Sequence, residues 1–459
     1  MRLSNYNIYY PIKEKKKIVL YNTLSKALLI IDERSIEHLR KITEDENLRK
    51  LDLYKVLEQN GFILKANVDE SKIFRVVYNQ IKYHSGVLLT SIMTTYNCNL
   101  NCEFCYEKGL KTDERKISMS RNTADRVIKF IKKMNSQRHF KELFILWYGG
   151  EPFLNPKIIK YILNELDLYT KNIGIKFRNH VWTNGTLVSK KLIQDISPYG
   201  MSFQVSLNGP QNEHDKKMRY KNGQGTFNRI INTIGLLKDH KLQFIIRINV
   251  DKDNCESITL LLDYLKSKFG KHLKVAFYPV LPLTGPCYES CIYENAVLGK
   301  EEQRVISELW NSAINKGFDL TLPPLGSCIG CLHLLPDSYV ISPLGEVYTC
   351  VTTVAYKDSS KHRLGVISEN GDLHNINWSY LYKWLSIDPL EKSECSNCRF
   401  LTECGGYCPL FSYEFLEYGK GNRTCPVLKQ NLYKRILFSL EEKYHIRSKL
   451  GIQGPFNIN

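Results

Sequence analysis

The stretch TTYNCNLNCEFCYEKG, residues 94–109, decides how the rest of the chain is read. It places Cys98, Cys102 and Cys105 at C-x3-C-x2-C spacing, directly after an apolar run, Leu88–Met93, that reads as a strand. Thiolates are soft ligands suited to iron–sulfur clusters. Three cysteines on a four-iron cluster leave one iron with an open position, and an open position lets a metal site bind and activate a substrate. A zinc knuckle is the competing reading. Zinc prefers a fourth Cys or His nearby, and none follows Cys105 within twenty residues.

The chain has 459 residues and 43% hydrophobic content, enough for sizeable cores and for two to four domains. It holds 64 Lys and Arg against 47 Asp and Glu, a formal net charge of +17. The basic residues are spread along the chain with no arginine-rich arm, so they read as a solvated surface, with nucleic acid a weak alternative. The opening MRLSNYNIYY is polar and lacks the apolar core of a signal peptide, and no run approaches the ~18 apolar residues of a membrane span. We expect a cytoplasmic protein with no membrane span. In a reducing compartment, fourteen clustered cysteines read as metal ligands before disulfides.

Residues 1 to about 85 contain no cysteine and read as a small α+β unit. Asn7–Tyr10 and Ile18–Tyr21 are β-like runs around the charged turn KEKKK, followed by Ala27–Ile31 and a short helical stretch. A second helix, Leu51–Gln59, carries Leu53, Val56 and Leu57 at helical spacing, Asn60-Gly61 ends it, and Phe62–Leu64 reads as a strand. From residue 88 strands and helices alternate. Expected strands are Leu88–Met93, Leu143–Trp147, His180–Trp182, Phe203–Leu207, Phe244–Val250 and Val275–Tyr278. Helix stripes run through Ala124, Val127, Ile128 and Ile131, and through Phe227, Ile230, Ile231 and Ile234, with a further helix at Ile258–Leu265. This is an α/β pattern, a partial (β/α)6 barrel with its active site at the C-terminal ends of the strands. After about residue 285 the alternation stops, and Gly, Pro and Cys dominate. The resulting division is 1–85 N-terminal module, 86–285 barrel, 286–325 linker, 326–435 cysteine-rich domain and 436–459 tail.

The cysteine spacing, with aromatic Phe104 before the last cysteine, resembles that of the radical S-adenosylmethionine superfamily over roughly residues 88–280. Tyr148-Gly149-Gly150-Glu151-Pro152 looks like the family's GGEP motif, which contacts the methionine amino group; Gly149 and Gly150 permit close backbone approach, and Glu151 assists electrostatically. Thr183-Asn184-Gly185 ends the third strand, SLNGP (206–210) ends the fourth, and Arg247 and Asn249 lie on the fifth, each at a place where family members contact the cofactor. The resemblance implies ribose or carboxylate hydrogen bonding by Ser206 and Asn249, and carboxylate pairing by Arg219. Taken alone, each of these positions reads equally as a turn or a solvated surface.

The later cysteines, Cys331-x13-Gly345-x4-Cys350 and then Cys395-x2-Cys398-x5-Cys404-x3-Cys408-x16-Cys425, resemble the SPASM domain, which holds two auxiliary four-iron clusters in relatives. Carried over by position, Cys395, Cys398, Cys404 and Cys425 bind one cluster, and Cys350, Cys408, Cys331 and Cys328 the other. A pair of structural zinc sites is the alternative. Cys255 reads as an inert thiol, and Cys287 and Cys291 read as plain free thiols, with replacement of Cys328 as a ligand, or a functional thiol, as the alternatives.

The resemblance implies reductive cleavage of S-adenosylmethionine to a 5′-deoxyadenosyl radical that abstracts hydrogen from substrate, with a flavodoxin or ferredoxin as reductant. SPASM-bearing relatives include maturases of ribosomally made peptides and anaerobic sulfatase-maturing enzymes. The N-terminal unit looks like a winged-helix-like leader-recognition element that binds a precursor peptide as an added strand, which favours a peptide maturase installing a crosslink such as a thioether. A structural cap is its bland alternative. The sulfatase enzymes carry an Asp base after the cysteine equivalent to Cys350, where this chain has Val351, and their SLDGP reads SLNGP here. A sulfatase-maturing enzyme and a non-catalytic zinc or nucleic-acid-binding protein remain as the alternatives.

Overall fold

The computed structural model describes residues 1–12, 15–41, 52–110, 113–280, 300–322, 328–356, 358–406, 408–418 and 428–446; Cys287, Cys291 and Cys425 lie outside them. The N-terminal unit runs β1 (Arg2–Leu3), β2 (Asn7–Ile12), β3 (Lys17–Asn22), β4 (Leu28–Asp32), α1 (Ser35–Lys41), α2 (Asp52–Gln59), β5 (Ile63–Leu64) and α3 (Glu70–Tyr83). Strands β2, β3 and β4 form an antiparallel sheet with β3 central. The run KIVLYN is buried almost throughout because β3 is covered on both faces. Ile18 and Leu20 pack with Leu39, Tyr54 and Leu57 from α1 and α2. Val19 and Tyr21 pack with Ile436, Leu437 and Leu440 from the other end of the chain.

Next come β6 (Val87–Met93), α4 (Arg121–Arg138), β7 (Glu142–Tyr148), α5 (Pro156–Ile173), β8 (Lys176–Thr183), α6 (Lys190–Ile196), β9 (Ser202–Ser206), α7 (Gln211–Lys217), α8 (Phe227–Asp239), β10 (Phe244–Val250), α9 (Ile258–Phe269) and β11 (Lys274–Pro279). All six expected strands form, and each pairs in parallel with the next in chain order. Local signals set the helix limits: Ser120 and Ser189 accept from the first-turn amides of α4 and α6, and α5 starts at Pro156 and closes on left-handed Gly174. Leu143, Ile145, Trp147, Val181, Phe203, Val205, Ile246 and Ile248 share one core with the α4 and α8 stripes. The alternate residues, among them Tyr148, Trp182, Gln204, Ser206, Arg247 and Asn249, therefore face the other side, the lumen of an open barrel.

The remainder is α10 (Lys300–Lys316), β12 (Asp319–Leu320), β13 (Ser338–Ile341), β14 (Glu346–Tyr348), β15 (Arg363–Ile367), β16 (Leu373–His374), α11 (Trp378–Leu385), α12 (Ser393–Ser396), α13 (Leu401–Cys404), α14 (Pro409–Tyr418) and α15 (Leu428–Tyr444). Strand β12 extends the sheet beyond β11, and β13 pairs in parallel with β6, carrying the hairpins β14–β16 with it. Among the described residues the eleven-stranded sheet does not close.

Two boundaries differ from the sequence reading. Within the expected linker 286–325, Ile306, Leu309, Trp310 and Ala313 recur at helical spacing, and α10 buries them in the barrel core. The expected tail from 436 begins inside α15, which covers the N-terminal sheet.

Candidate active site

Strand β6 ends at Met93, and the cysteine loop follows from buried Thr94 and Thr95. Tyr96 N donates to Ile117 O at 2.9 Å, Asn101 N to Arg219 O at 2.9 Å and Glu103 N to Lys217 O at 3.1 Å, so the loop is held from both sides. Cys98, Cys102 and Cys105 are half-buried and free. Burial pushes the thiols of Cys98 and Cys105 up to about 12, with Glu151 adding at Cys98 and Glu107 at Cys105. Cys102 is raised by burial and then by Cys105 and Cys98. The three thiols thus share one field, and Leu100 N (3.4 Å) and Asn184 Nδ2 (3.8 Å) point at Cys98 Sγ. Phe104 packs against the barrel core.

The Gly149–Glu151 segment lies along this loop. Gly150 N donates to Thr95 O at 3.0 Å and Glu151 N to Asn97 O at 2.9 Å. A Cβ on Gly149 would stand 2.3 Å from Thr95 O, and one on Gly150 would stand 2.2 Å from Asn97 O. The close approach expected of these glycines is therefore made to the cysteine loop's own backbone. Glu151 is fully buried, and its carboxylate accepts from Phe153 N (3.1 Å), Thr183 Oγ1 (2.8 Å) and Asn184 N (2.8 Å). Burial raises it to about 7 against those hydrogen bonds. Glu151 thus ties the ends of β7 and β8 together and places Asn184 beside Cys98 and Asn99. The sequence reading set Thr183-Asn184-Gly185 among the strand ends that resemble cofactor contacts; the approach of Asn184 to Cys98 and Asn99 is what the structure adds.

At the end of β9, Ser206 is half-buried and registers with Arg247. Asn249 donates through Nδ2 to Asn208 Oδ1 (3.2 Å) and accepts from Arg247 Nε (2.9 Å). Its amide is engaged by its neighbours, and Asn208 is the bridge between the β9 and β10 ends. Arg219 lies on the rim, 3.8 Å from Glu103. Below these ends the lumen is aromatic: Tyr106 Oη donates to Tyr148 Oη at 2.9 Å, and Tyr148 meets Trp182 edge-on at 5.1 Å.

Of the later cysteines, Cys331, Cys350 and Cys408 lie within electrostatic reach of one another. Cys331 and Cys408 are pushed up to about 12 by burial, Cys331 also by Cys408 and Cys350, and Cys408 by Cys350. Cys328 is buried in a left-handed conformation, raised by burial, with Lys26 and Glu403 as its charged neighbours. The Tyr6 phenol is raised by burial and Glu70, then by both Cys398 and Cys328. Left-handed Gly405 lets the segment after Cys404 press on Cys328, since a Cβ there would stand 2.6 Å from Cys328 O. Cys395 and Cys398 pack with Cys328, Cys350 and Cys408 around one aromatic core. Among the described residues no three Cys, His, Asp or Glu side chains converge on a single-ion site. Half-buried thiols that hold one another in the neutral form fit an iron–sulfur cluster, whose positive irons offset that penalty by taking the thiolate form.

Residues 92–265 match the model of the Radical SAM superfamily, which uses a four-iron cluster and S-adenosylmethionine. The radical SAM cyclopropyl synthase TigE of Paramaledivibacter caminithermalis is 23% identical over 84% of this chain and 81% of its own. The serine-type anaerobic sulfatase-maturating enzyme of Bacteroides thetaiotaomicron is 23% identical over 68% of this chain and 80% of its own. Among solved structures, native anSMEcpe with bound AdoMet and Cp18Cys peptide superposes with a TM-score of 0.59 at 19% identity, over 78% of this chain and 99% of that one. The folds are shared.

Proposed function

Residues 92–265 form a radical S-adenosylmethionine domain and the chain is an enzyme; from that premise we propose that it is a peptide maturase, crosslinking a precursor peptide whose leader docks on the N-terminal module. The observation that carries this reading is the module itself, three antiparallel strands followed by helices ahead of β6. Its sheet has two edge strands. Pro11 interrupts the donors of β2, whereas β4 has no proline and its Leu28, Leu29 and Ile30 are partly exposed, so β4 is the edge suited to an added strand. The module is anchored where the outer cysteines lie: Thr23 Oγ1 donates to Arg399 O at 2.7 Å, and Tyr21 Oη to Glu403 Oε1 at 3.1 Å.

A four-iron cluster on Cys98, Cys102 and Cys105 supplies, when bound, the electron that cleaves S-adenosylmethionine to a 5′-deoxyadenosyl radical. Asn184 and Leu100 N orient Cys98, Glu151 fixes the strand ends against the loop, and Tyr106, Tyr148 and Trp182 wall the lumen against water. A flavodoxin or ferredoxin would supply the electrons, and Cys328, Cys331, Cys350, Cys395, Cys398, Cys404, Cys408 and Cys425 would hold the auxiliary clusters. The test is anaerobic. The triple variant Cys98→Ala/Cys102→Ala/Cys105→Ala loses 5′-deoxyadenosine formation under dithionite and keeps its remaining iron. The reconstituted protein binds the leader of a small peptide encoded beside its gene; no affinity for any of them defeats the leader reading.

The curated sulfatase-maturating relatives support a second reading, formylglycine formation on a sulfatase. Val351 stands where those enzymes carry their base. Mass spectrometry of a C-x-P-x-R peptide after turnover decides between them.

A further inference from the structure

Among the described residues, the barrel lumen holds a cation with no anion beside it. Arg247 lies one pleat below Asn249 on β10, and Ile246 and Ile248 on either side point into the helix-side core. Its Nε donates to Asn249 Oδ1 at 2.9 Å. Its guanidinium carbon sits 4.1 Å from the centre of the Tyr278 ring and 5.3 Å from that of Trp182. The two rings stabilise the charge and leave the terminal nitrogens beyond Nε to find their own partner. Among the described residues no carboxylate lies within ion-pair distance of that edge. Lys217, buried near the same strand end, shows the contrast, with Asp251 at 2.5 Å and Asp253 at 3.0 Å. A second donor waits nearby. Gln204, on the lumen side of β9 and 5% exposed, has its Nε2 without a hydrogen-bond partner.

A half-buried guanidinium with no carboxylate beside it and a buried amide N–H without a partner are both better satisfied when a ligand supplies acceptors. The planar fork of Arg matches a carboxylate in particular. The cysteine loop already has its own cation in Arg219, whose carbonyl binds Asn101 N and whose guanidinium faces Glu103. Arg247 lies deeper, where a substrate side chain would enter. Building on the maturase reading, we infer that the lumen binds a carboxylate of the substrate peptide, gripped by the edge of Arg247 that Asn249 does not use and assisted by Gln204.

The test uses the reconstituted full chain with S-adenosylmethionine present and three capped probes: acetyl-Gly-Glu-Gly-amide, its Gln counterpart, and acetyl-Gly-Gly-Gly with a free terminal carboxylate. Binding is followed by Trp fluorescence, since the Arg247 guanidinium lies 5.3 Å from the centre of the Trp182 ring. One or both carboxylate probes should bind about 10- to 100-fold more tightly than the Gln peptide, and which of them does so identifies a side-chain or a terminal carboxylate. In Arg247→Gln the acid-over-amide ratio should fall to about one, and Arg247→Lys should recover part of it. Equal binding of acid and amide by the wild type, or an unchanged ratio in Arg247→Gln, overturns the inference. So does direct competition between the acid probes and S-adenosylmethionine, which would make this the cofactor's own carboxylate site. If the wild type forms no 5′-deoxyadenosine under dithionite and binds no probe, the maturase reading fails with it; cleavage without acid preference removes the anchor alone.

Discussion

Replacing Gly150 by alanine isolates the contact that sets the cysteine loop against the β7 end. Gly150 does not occupy the left-handed region, so alanine meets no backbone penalty of its own, and the whole effect is collision. The new Cβ would stand 2.2 Å from Asn97 O, 2.5 Å from Asn97 C and 2.7 Å from Tyr96 O. All three are backbone atoms, so no side chain can swing aside. Relief requires the loop and the Gly149–Glu151 segment to part by about 1 Å, given ordinary carbon–oxygen contact near 3.3 Å. That breaks Gly150 N to Thr95 O and Glu151 N to Asn97 O, now 3.0 and 2.9 Å. Two buried backbone bonds at roughly 1–3 kcal/mol each give about 2–6 kcal/mol. Gly174→Ala is the control: left-handed at the end of α5, with nothing within 4 Å, it costs only the strain of about 1–2 kcal/mol. We expect Gly150→Ala to melt well below Gly174→Ala, to lose about four irons per chain, and to form almost no 5′-deoxyadenosine. If Gly150→Ala matches Gly174→Ala in melting and keeps wild-type iron, the loop is not held by this contact.

The docked module should loosen in Glu403→Gln. Glu403 is buried and accepts from Tyr21 Oη and from Lys26 Nζ at 3.2 Å, so an amide turns N–H against donors for about 1–3 kcal/mol; a lower melting point and faster proteolysis between residues 1 and 85 are expected, and unchanged proteolysis would show that Glu403 does not hold the module. His214 predicts acid lability. It is buried, accepts from Asn208 N at 3.1 Å and faces Thr226 Oγ1 at 3.0 Å, and burial lowers it from 6.5 to about 4. A base lowered on folding contributes stability that is full above 6.5 and is lost as pH falls toward 4, up to about 3 kcal/mol here. Urea midpoints at pH 7 and pH 5 should diverge less in His214→Asn, which keeps an acceptor near the Nδ1 position, than in the wild type.

The barrel was legible because its signals are local. Apolar runs bounded by turns mark β6–β11, and stripes at helical spacing such as Ala124, Val127, Ile128 and Ile131 mark their helices, all buried in one core. The cysteine spacings were legible for the same reason. What sequence does not carry is pairing over long separations. Ser338–Ile341 is a short apolar run, and nothing near it says that it lies against Leu89–Ile92. Ile436, Leu437 and Leu440 read as an amphipathic end, but their partners are Val19 and Tyr21. Glu151 was legible as a motif residue, yet its hydrogen-bond donors Thr183 and Asn184 come from another strand, so its bracing role was not.

Those long pairings also order the cysteines in space. The turn after Cys105 and the turn after Cys350 pack on each other through Met93, Leu110, Val340, Val354 and Ala355. The aromatic core next to it holds Cys350 and Cys408 together with Cys395 and Cys398. Tyr6, on the N-terminal module, senses Cys398 and Cys328 at the far side. The order is therefore cysteine loop, then Cys331, Cys350 and Cys408, then Cys395 and Cys398, then the module. A module docked only on the barrel would leave this order without consequence. Docked as it is on Arg399 and Glu403, it meets the chain between Cys398 and Cys404. On the maturase reading, a leader held on β4 would sit beside Cys398 and Cys404, with the segment to be modified directed past them toward the lumen.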